Sequence, residues 1–195
     1  LVQQCEAQWG SEGIASHRIA AEKLYRIKDR AFDTVADHLR HGAAISEYDL
    51  QQLMWKWFSD EDLTSDAPPL VPVMENASNP HYTPGATTSR AVQANELLLL
   101  DLWGKLKSPG AVFADISWVG FTGAEVPAEM ARVFEVARNA RDAAVSLVQD
   151  AARQQRVIRG FELDRSARAV IEQAGYGDYI LHRTGHSLGE TVHGN

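Results

Sequence analysis

Two neighbouring apolar runs, each carrying one aspartate, restrict the fold of this chain more than any other feature. Residues 96–104 and 111–118 have the composition of buried strands, and residues 108–110 between them predict a turn. Asp101 lies in the first run and Asp115 in the second. A buried carboxylate is costly unless it is paired or binds a metal. The pair therefore predicts either cations between the strands or strongly shifted pKa values. Alternatively, Asp101 caps its strand and Asp115 accepts backbone hydrogen bonds.

The last fourteen residues are rich in histidine. His182, His186 and His193 lie there among three glycines, at positions 185, 189 and 194. Histidine binds transition metals and moves protons near neutral pH, and glycine lets the backbone approach a ligand closely. The segment therefore predicts metal chemistry. The alternative is that these histidines are structural and that the two aspartates are satisfied by hydrogen bonds.

Composition excludes several classes of protein. With 195 residues, 45% of them hydrophobic and 23% charged, the chain is long enough for one globular domain. Its net charge of −7 has no blocks of like charge, which argues against nucleic acid or a membrane as partner and favours a cationic or neutral substrate. Cys5 is the single cysteine, so no intrachain disulfide forms, and we expect a reducing, cytoplasmic location.

The first third of the sequence predicts two helices. Residues 14–39 have the apolar spacing of a long amphipathic helix, with Gly42 as its stop. Ser46 and Asp49 predict a capping box at the start of a second helix. That helix contains three aromatic residues, which we expect in the core and not in a ligand cage: Trp55, Trp57 and Phe58.

The other segments complete an α+β pattern. Residues 60–69 predict a loop and residues 70–74 a short strand, followed by an irregular polar loop, residues 75–84, that contains His81 and resembles a substrate-facing loop. Two further helices are predicted over residues 127–151 and 161–174. We interpret the charged residues of the last helix as a solvated face.

Together these motifs resemble the creatinase, prolidase and aminopeptidase P branch of the M24 metallopeptidases. The resemblance spans essentially the whole chain and implies an α+β pita-bread fold, truncated after its first half and the histidine motif. Residues 14–195 would be the N-terminal part of the catalytic domain, and residues 1–13 a linker from a preceding domain. The residues that carry the resemblance are Asn76 to Tyr82, Asp101, Asp115, Asp164 to Arg168 and His182 to Gly189.

The resemblance also implies a metal centre. In this family two aspartates, one histidine and two glutamates hold a pair of divalent metals. By motif position, Asp101 resembles the aspartate that chelates one metal, Asp115 the one that bridges both, and His186 the histidine ligand. Such ligands suit manganese, zinc, cobalt or iron.

Three further histidines resemble residues of the family's substrate pocket. His81 and His193 match histidines that contact substrate and stabilise the tetrahedral intermediate, and His182 matches one that lines the pocket. The implied function is that of an Xaa-Pro aminopeptidase or Xaa-Pro dipeptidase, in which a hydroxide activated by two metals attacks the scissile amide of a short peptide. A homodimer is also implied.

Two departures from the family pattern concern the metal ligands. The step of fourteen residues between Asp101 and Asp115 is longer than usual, which predicts a longer hairpin loop that leaves both free to face one site. The two glutamate ligands have no counterpart here, since Glu75 and Glu190 do not match them, so we expect this chain alone to be inactive. Creatinase-like or lyase chemistry on a small non-peptide substrate, and an inactive pita-bread binding module, remain as alternatives.

Overall fold

The structure is a computed structural model that describes residues 8–194. Cys5 and the first part of the predicted linker lie outside the described residues. The chain divides into two compact units. One takes in the described residues up to Glu125 and again from Ser187, and the other is Val126–His186.

The first unit begins with the predicted amphipathic helix. Helix α1 spans Ser11–His41, so it starts three residues before the predicted position. Most of its apolar stripe, including Leu24 and Ile27, is buried, whereas Ile14 and Ile19 near its start are exposed. Gly42 ends it in the left-handed conformation, with φ of 68°, as its position in the sequence predicts.

Helix α2 spans Glu47–Asp60 and begins with the predicted capping box. The hydroxyl of Ser46 accepts the backbone N–H of Asp49 at 3.1 Å, and the Asp49 carboxylate accepts the backbone N–H of Ser46 at 3.0 Å. Trp57 and Phe58 are buried and Trp55 is half-buried against the core. The prediction that these aromatic residues serve packing is confirmed.

Three antiparallel strands form the sheet in the order β1-β2-β3. Strand β2 (Leu97–Leu106) and strand β3 (Ala114–Phe121) are the predicted hairpin, although β3 starts three residues later than expected and extends to Phe121. Strand β1 (Leu63–Thr64) lies inside the segment predicted as a loop, and it pairs with the end of β2.

The predicted strand over residues 70–74 is wrong as a regular strand. Leu70 and Val73 each form an isolated bridge to β2, opposite Asp101 and Leu98. Pro72 lies between the bridges, and a proline cannot donate the N–H that a continuous ladder needs. A short 3-10 helix, Met74–Ser78, then occupies part of the loop predicted to be irregular.

The two faces of β2 differ in burial. Leu98, Leu100 and Leu102 are fully buried, whereas the alternate, odd-numbered positions are only partly covered. The buried face packs with α1, because the residues at even positions point to one side of the pleat. The odd-numbered face is therefore the accessible side of the hairpin.

The second unit consists of two packed helices and the loop that follows them. Helix α3 spans Ala128–Arg153, helix α4 spans Gly160–Gln173, and a 3-10 turn spans Gly177–Tyr179. The ends of both helices agree with the predicted segments within one or two residues. Among residues 8–194, no helix combines the length and apolar character that a membrane crossing requires.

Candidate metal centre

The register of the β2–β3 hairpin places both predicted aspartates on one face. Asp101 lies opposite Ser117, and Asp115 lies opposite Trp103. Residues that are directly opposite, or separated by two positions along a strand, point to the same side of a sheet. Asp101 and Asp115 are therefore diagonal neighbours on the odd-numbered, accessible face.

Asp101 is held by Leu70 through its backbone and by Ser117 through its carboxyl group. Its N–H donates to the Leu70 carbonyl at 3.0 Å, and its carbonyl accepts the Leu70 N–H at 2.8 Å. The Ser117 hydroxyl donates to Asp101 Oδ1 at 2.6 Å. This side-chain hydrogen bond restricts the orientation of the Asp101 carboxyl group.

The expectation that these aspartates are buried is wrong. Both Asp101 and Asp115 are half-buried. The apolar residues around them in sequence are buried because they alternate onto the other face of β2, which α1 covers. Apolar neighbours along a strand therefore indicate a buried strand, but they do not bury the residue between them.

His81 lies on the loop that follows the 3-10 helix of the first unit. Its backbone N–H donates to Asn79 Oδ1 at 3.0 Å, and the next residue, Tyr82, donates its backbone N–H to the Asn79 carbonyl at 3.0 Å. The side chain of His81 is exposed. The loop is thus tightly turned while its histidine remains accessible to a ligand.

The segment after Ser187 packs against the end of the hairpin. Phe113, two residues before Asp115, donates its N–H to the Gly189 carbonyl at 2.9 Å, and Lys105 Nζ donates to the Glu190 carbonyl at 2.6 Å. Val192 is buried. These contacts bring the segment that carries His193, whose own side chain is exposed, to the hairpin end that carries Asp115.

His182 and His186 lie in the second unit, on the loop after α4. Asp164 of α4 holds this loop, because its Oδ1 accepts the backbone N–H of Thr184 at 2.8 Å and the Thr184 hydroxyl at 2.9 Å. Arg168 donates to Asp164 Oδ2 at 2.6 Å and to the His182 carbonyl at 3.0 Å. These bonds, the Thr184 backbone N–H first, lower the pKa of Asp164 to about 2.

The interpretation of α4's charged residues as a solvated face is therefore wrong for Asp164 and Arg168. Both side chains are about two-thirds buried or more. The acid and the arginine are four positions apart, which permits an ion pair on a helix, but this spacing does not reveal that they also bind a loop. Sequence reasoning missed their role in holding the histidine segment.

An open apolar groove of about 690 Å³ runs along the second unit. Residues of α3 and α4 form its walls, Tyr179 and Leu181 lie at its rim, and His182 is among its lining residues. The Nδ1 of His182 donates to the Arg183 carbonyl at 2.7 Å. The role of His182 as a residue of the substrate pocket stays a prediction.

The six predicted site residues are thus distributed over both units. His81, Asp101, Asp115 and His193 lie in the first, and His182 and His186 in the second. Two carboxylates on one face and an imidazole are a donor set that suits a first-row divalent metal. Within residues 8–194, no group of three or more His, Cys, Asp or Glu side chains has an arrangement that could hold a metal ion. The ligand set Asp101, Asp115 and His186 stays a prediction.

Comparison with known proteins gives consistent matches. The profile of metallopeptidase family M24 matches residues 20–195. An Xaa-Pro dipeptidase from Lactobacillus delbrueckii subsp. lactis is 34% identical over 182 residues, which are 91% of this chain and 45% of the relative. The chain spans about half the length of the curated relatives it matches.

Solved structures share the fold. A recombinant prolidase from Thermococcus sibiricus superposes with a TM-score of 0.79 at 25% identity, over 100% of this chain and 48% of the prolidase. An X-prolyl aminopeptidase from Caenorhabditis elegans, a cytosolic enzyme with a di-nuclear active site, superposes with a TM-score of 0.78 at 21% identity, over 100% of this chain and 31% of that one. The α+β pita-bread fold is confirmed, and this chain covers about half of the prolidase chain.

Proposed function

Because this chain belongs to metallopeptidase family M24, we propose that it is part of a metal-dependent hydrolase of the Xaa-Pro peptidase type. The observation that carries the proposal is the hairpin register, which puts Asp101 and Asp115 on one accessible face. The similarity to Xaa-Pro dipeptidases supports the choice of substrate class. The activity is that of the intact protein, since the chain spans about half the length of those relatives.

In this proposal Asp101, Asp115 and His186 hold two divalent ions. When bound, such ions lower the pKa of water and polarise a carbonyl group, which is the chemistry that amide hydrolysis requires. The hydrogen bond from Ser117 keeps the Asp101 carboxyl in one orientation. Asp164 and Arg168 hold the backbone on either side of Arg183, and so limit the positions available to His186.

The histidines supply the contacts with substrate. His81 and His193 are exposed at the ends of turned segments, where they can donate to the carbonyl oxygen as it gains negative charge. His182 lies at the apolar groove, whose walls suit an apolar substrate side chain.

The proposal is tested by hydrolysis of alanyl-proline and of alanyl-prolyl-alanine by the intact protein with added Mn²⁺. Asp115→Asn and His186→Ala should each abolish turnover, whereas Asp142→Asn, an exposed aspartate on α3, should leave it unchanged. Cleavage of the dipeptide alone would identify a dipeptidase, and cleavage of the tripeptide an aminopeptidase. Bound metal with no cleavage of either peptide would contradict the peptidase function.

A further inference from the structure

The carboxyl group of Glu47, the first residue of α2, is fully buried. Four groups donate to it. Val73 N–H and Asn76 Nδ2 donate to Oε1 at 2.8 and 2.9 Å, and the Tyr82 hydroxyl and Arg90 N–H donate to Oε2 at 2.5 and 3.1 Å. A carboxyl group inside a protein is tolerated only when its oxygens find such partners. Both carboxylate oxygens of Glu47 therefore accept hydrogen bonds.

This arrangement differs from the usual role of an acid in the first turn of a helix. There, a glutamate is exposed and interacts with the positive end of the helix dipole. The neighbouring Asp49 has that ordinary role, since it completes the capping box with Ser46. Glu47 instead points inward, so its function is to bind the residues that surround it.

All four donors belong to one stretch of chain, residues 73–90, and His81 lies within it. Asn76 and Tyr82 flank the histidine on either side. Between them the backbone makes successive turns, with the Asn79 N–H donating to the Asn76 carbonyl at 3.1 Å and the Tyr82 N–H donating to the Asn79 carbonyl at 3.0 Å. The path of the chain at His81 is therefore fixed from both ends by one carboxyl group.

Arg90 is the last residue of the same stretch. The Glu47 N–H donates to the Arg90 carbonyl at 3.0 Å, so the two residues are joined twice through backbone groups of Arg90. The Arg90 guanidinium binds Glu75 at 2.7 Å and also contacts Glu96, the residue before β2. Val73, the first donor, bridges to Leu98 in β2. Glu47 thus connects the loop to the strand that carries Asp101.

We propose that Glu47 is a positioning residue that holds the loop of His81 in place for substrate. The inference rests on the proposed function, in which His81 contacts the substrate. Glu47 itself touches no substrate and acts through Asn76 and Tyr82. A histidine on an exposed loop is useful in catalysis only when its backbone is held to a fraction of an ångström, and a buried acceptor with four donors provides that restraint.

The consequence for catalysis is specific. Loss of the restraint should lower the rate of the chemical step, because a positioned donor matters most when charge develops on the substrate oxygen. Binding of the ground state should change little. Glu47→Gln is a severe variant, since its amide nitrogen would face backbone donors, and Tyr82→Phe is the milder one because it removes a single hydroxyl.

The test uses the intact protein with Mn²⁺ and alanyl-proline, in four variants. These are Tyr82→Phe, His81→Ala, the double variant, and the control Tyr48→Phe. The control removes the hydroxyl of a tyrosine in the first turn of α2 that is not among the donors to Glu47. Amide hydrogen exchange over residues 76–82 is measured beside kcat and KM. We expect Tyr82→Phe to accelerate exchange in that loop and to lower kcat about tenfold, with KM changed by less than about twofold. The control should change neither.

A double-mutant cycle separates positioning from a general loss of stability. The loss of kcat on Tyr82→Phe should disappear when His81 is already alanine, because the hydroxyl acts through the histidine. An equal loss in both backgrounds would overturn the inference, and so would unchanged exchange in Tyr82→Phe. A wild-type protein that fails to cleave alanyl-proline would contradict the proposed function, while the exchange experiment would still decide whether this network holds the loop.

Discussion

Asp101 and Asp115 lie on the same face of the β2–β3 hairpin. Asp101 is opposite Ser117, and Asp115 precedes Ser117 by two residues on β3. Diagonal neighbours of this kind have Cβ atoms roughly 7–8 Å apart or somewhat less, a span that two carboxylates can share across a metal pair. A slip of one residue in the register would turn one aspartate toward the α1 core. The register is therefore the structural basis of the candidate centre, and the longer connection between the strands leaves it intact.

The hydroxyl of Ser117 should strengthen metal binding through Asp101. Ser117→Ala removes the hydrogen bond to Oδ1, so the carboxyl group gains rotational freedom that binding must then restrict. We expect the affinity of the intact protein for Mn²⁺, measured by calorimetric titration, to fall roughly tenfold. Ser117→Thr keeps the hydroxyl and suits a strand, so it should restore the affinity. Equal weakening by both substitutions would contradict this role.

The Asp164 contact should make stability depend on pH in the acidic range. The pKa of Asp164 is about 2 in the folded protein, below its ordinary value of 3.8, first because of the Thr184 backbone N–H and then because of Arg168. The contribution to the free energy of unfolding is present above pH ~4 and is lost as the pH falls toward ~2.

Urea unfolding of the wild type and of Asp164→Asn measures this contribution. The variant should be less stable near neutral pH, and the difference should shrink between pH ~4 and ~2. Asp142→Asn, at an exposed aspartate paired with Arg141, is the matched control. A difference between wild type and Asp164→Asn that stays constant down to pH ~2 would contradict the assignment.

The phenol of Tyr82 should titrate at a higher pH than that of an ordinary tyrosine. Burial first, and the hydrogen bond to Glu47 second, raise its pKa to about 12. Because the folded value exceeds the ordinary value of 10.0, the stabilising contribution is complete below pH ~10 and is lost as the pH rises toward ~12. The ultraviolet difference between wild type and Tyr82→Phe should report a phenol with a midpoint near 12. A midpoint near 10 would exclude the buried hydrogen bond.

A side chain at Gly120 should destabilise the fold, because the ring of Phe32 on α1 lies close to β3 there. A Cβ at this position would lie 2.5 Å from a ring carbon of Phe32. Gly120→Ala should lower the free energy of unfolding by about 1–3 kcal/mol. Gly160→Ala, at the first residue of α4, meets nothing within 4 Å and should be neutral or slightly stabilising. Chemical denaturation of both variants measures the contrast, and equal stabilities would contradict the close packing.

The helices of this fold could be predicted because their signals are local. The apolar period of α1, the glycine at 42 and the capping box at Ser46 each depend on residues a few positions apart. The hairpin was also predictable, since two apolar runs flank a turn. Strand β1 could not be predicted, because a strand of two residues is too short to show an alternating apolar pattern. The bridges at Leu70 and Val73 depend on pairing with β2 and not on the sequence around them.

Less of the candidate site than of the fold could be predicted from the sequence. The aspartates and histidines could be chosen by residue type and by their resemblance to a family, but their half-burial follows from which face α1 covers. The partners of Glu47 lie 26 to 43 positions along the chain, and Thr184 lies 20 positions from Asp164. No local pattern distinguishes such a buried acceptor from an ordinary acid in the first turn of a helix.

Calorimetric titration of the metal-free intact protein with Mn²⁺ tests the central claim most directly. The wild type should bind two ions, Asp101→Asn should lose one, and Asp115→Asn should lose both, because only Asp115 is proposed to bridge them. Asp142→Asn should bind as the wild type does. Two ions bound with unchanged affinity in Asp115→Asn would contradict the proposal that the shared face of the β2–β3 hairpin holds the metals.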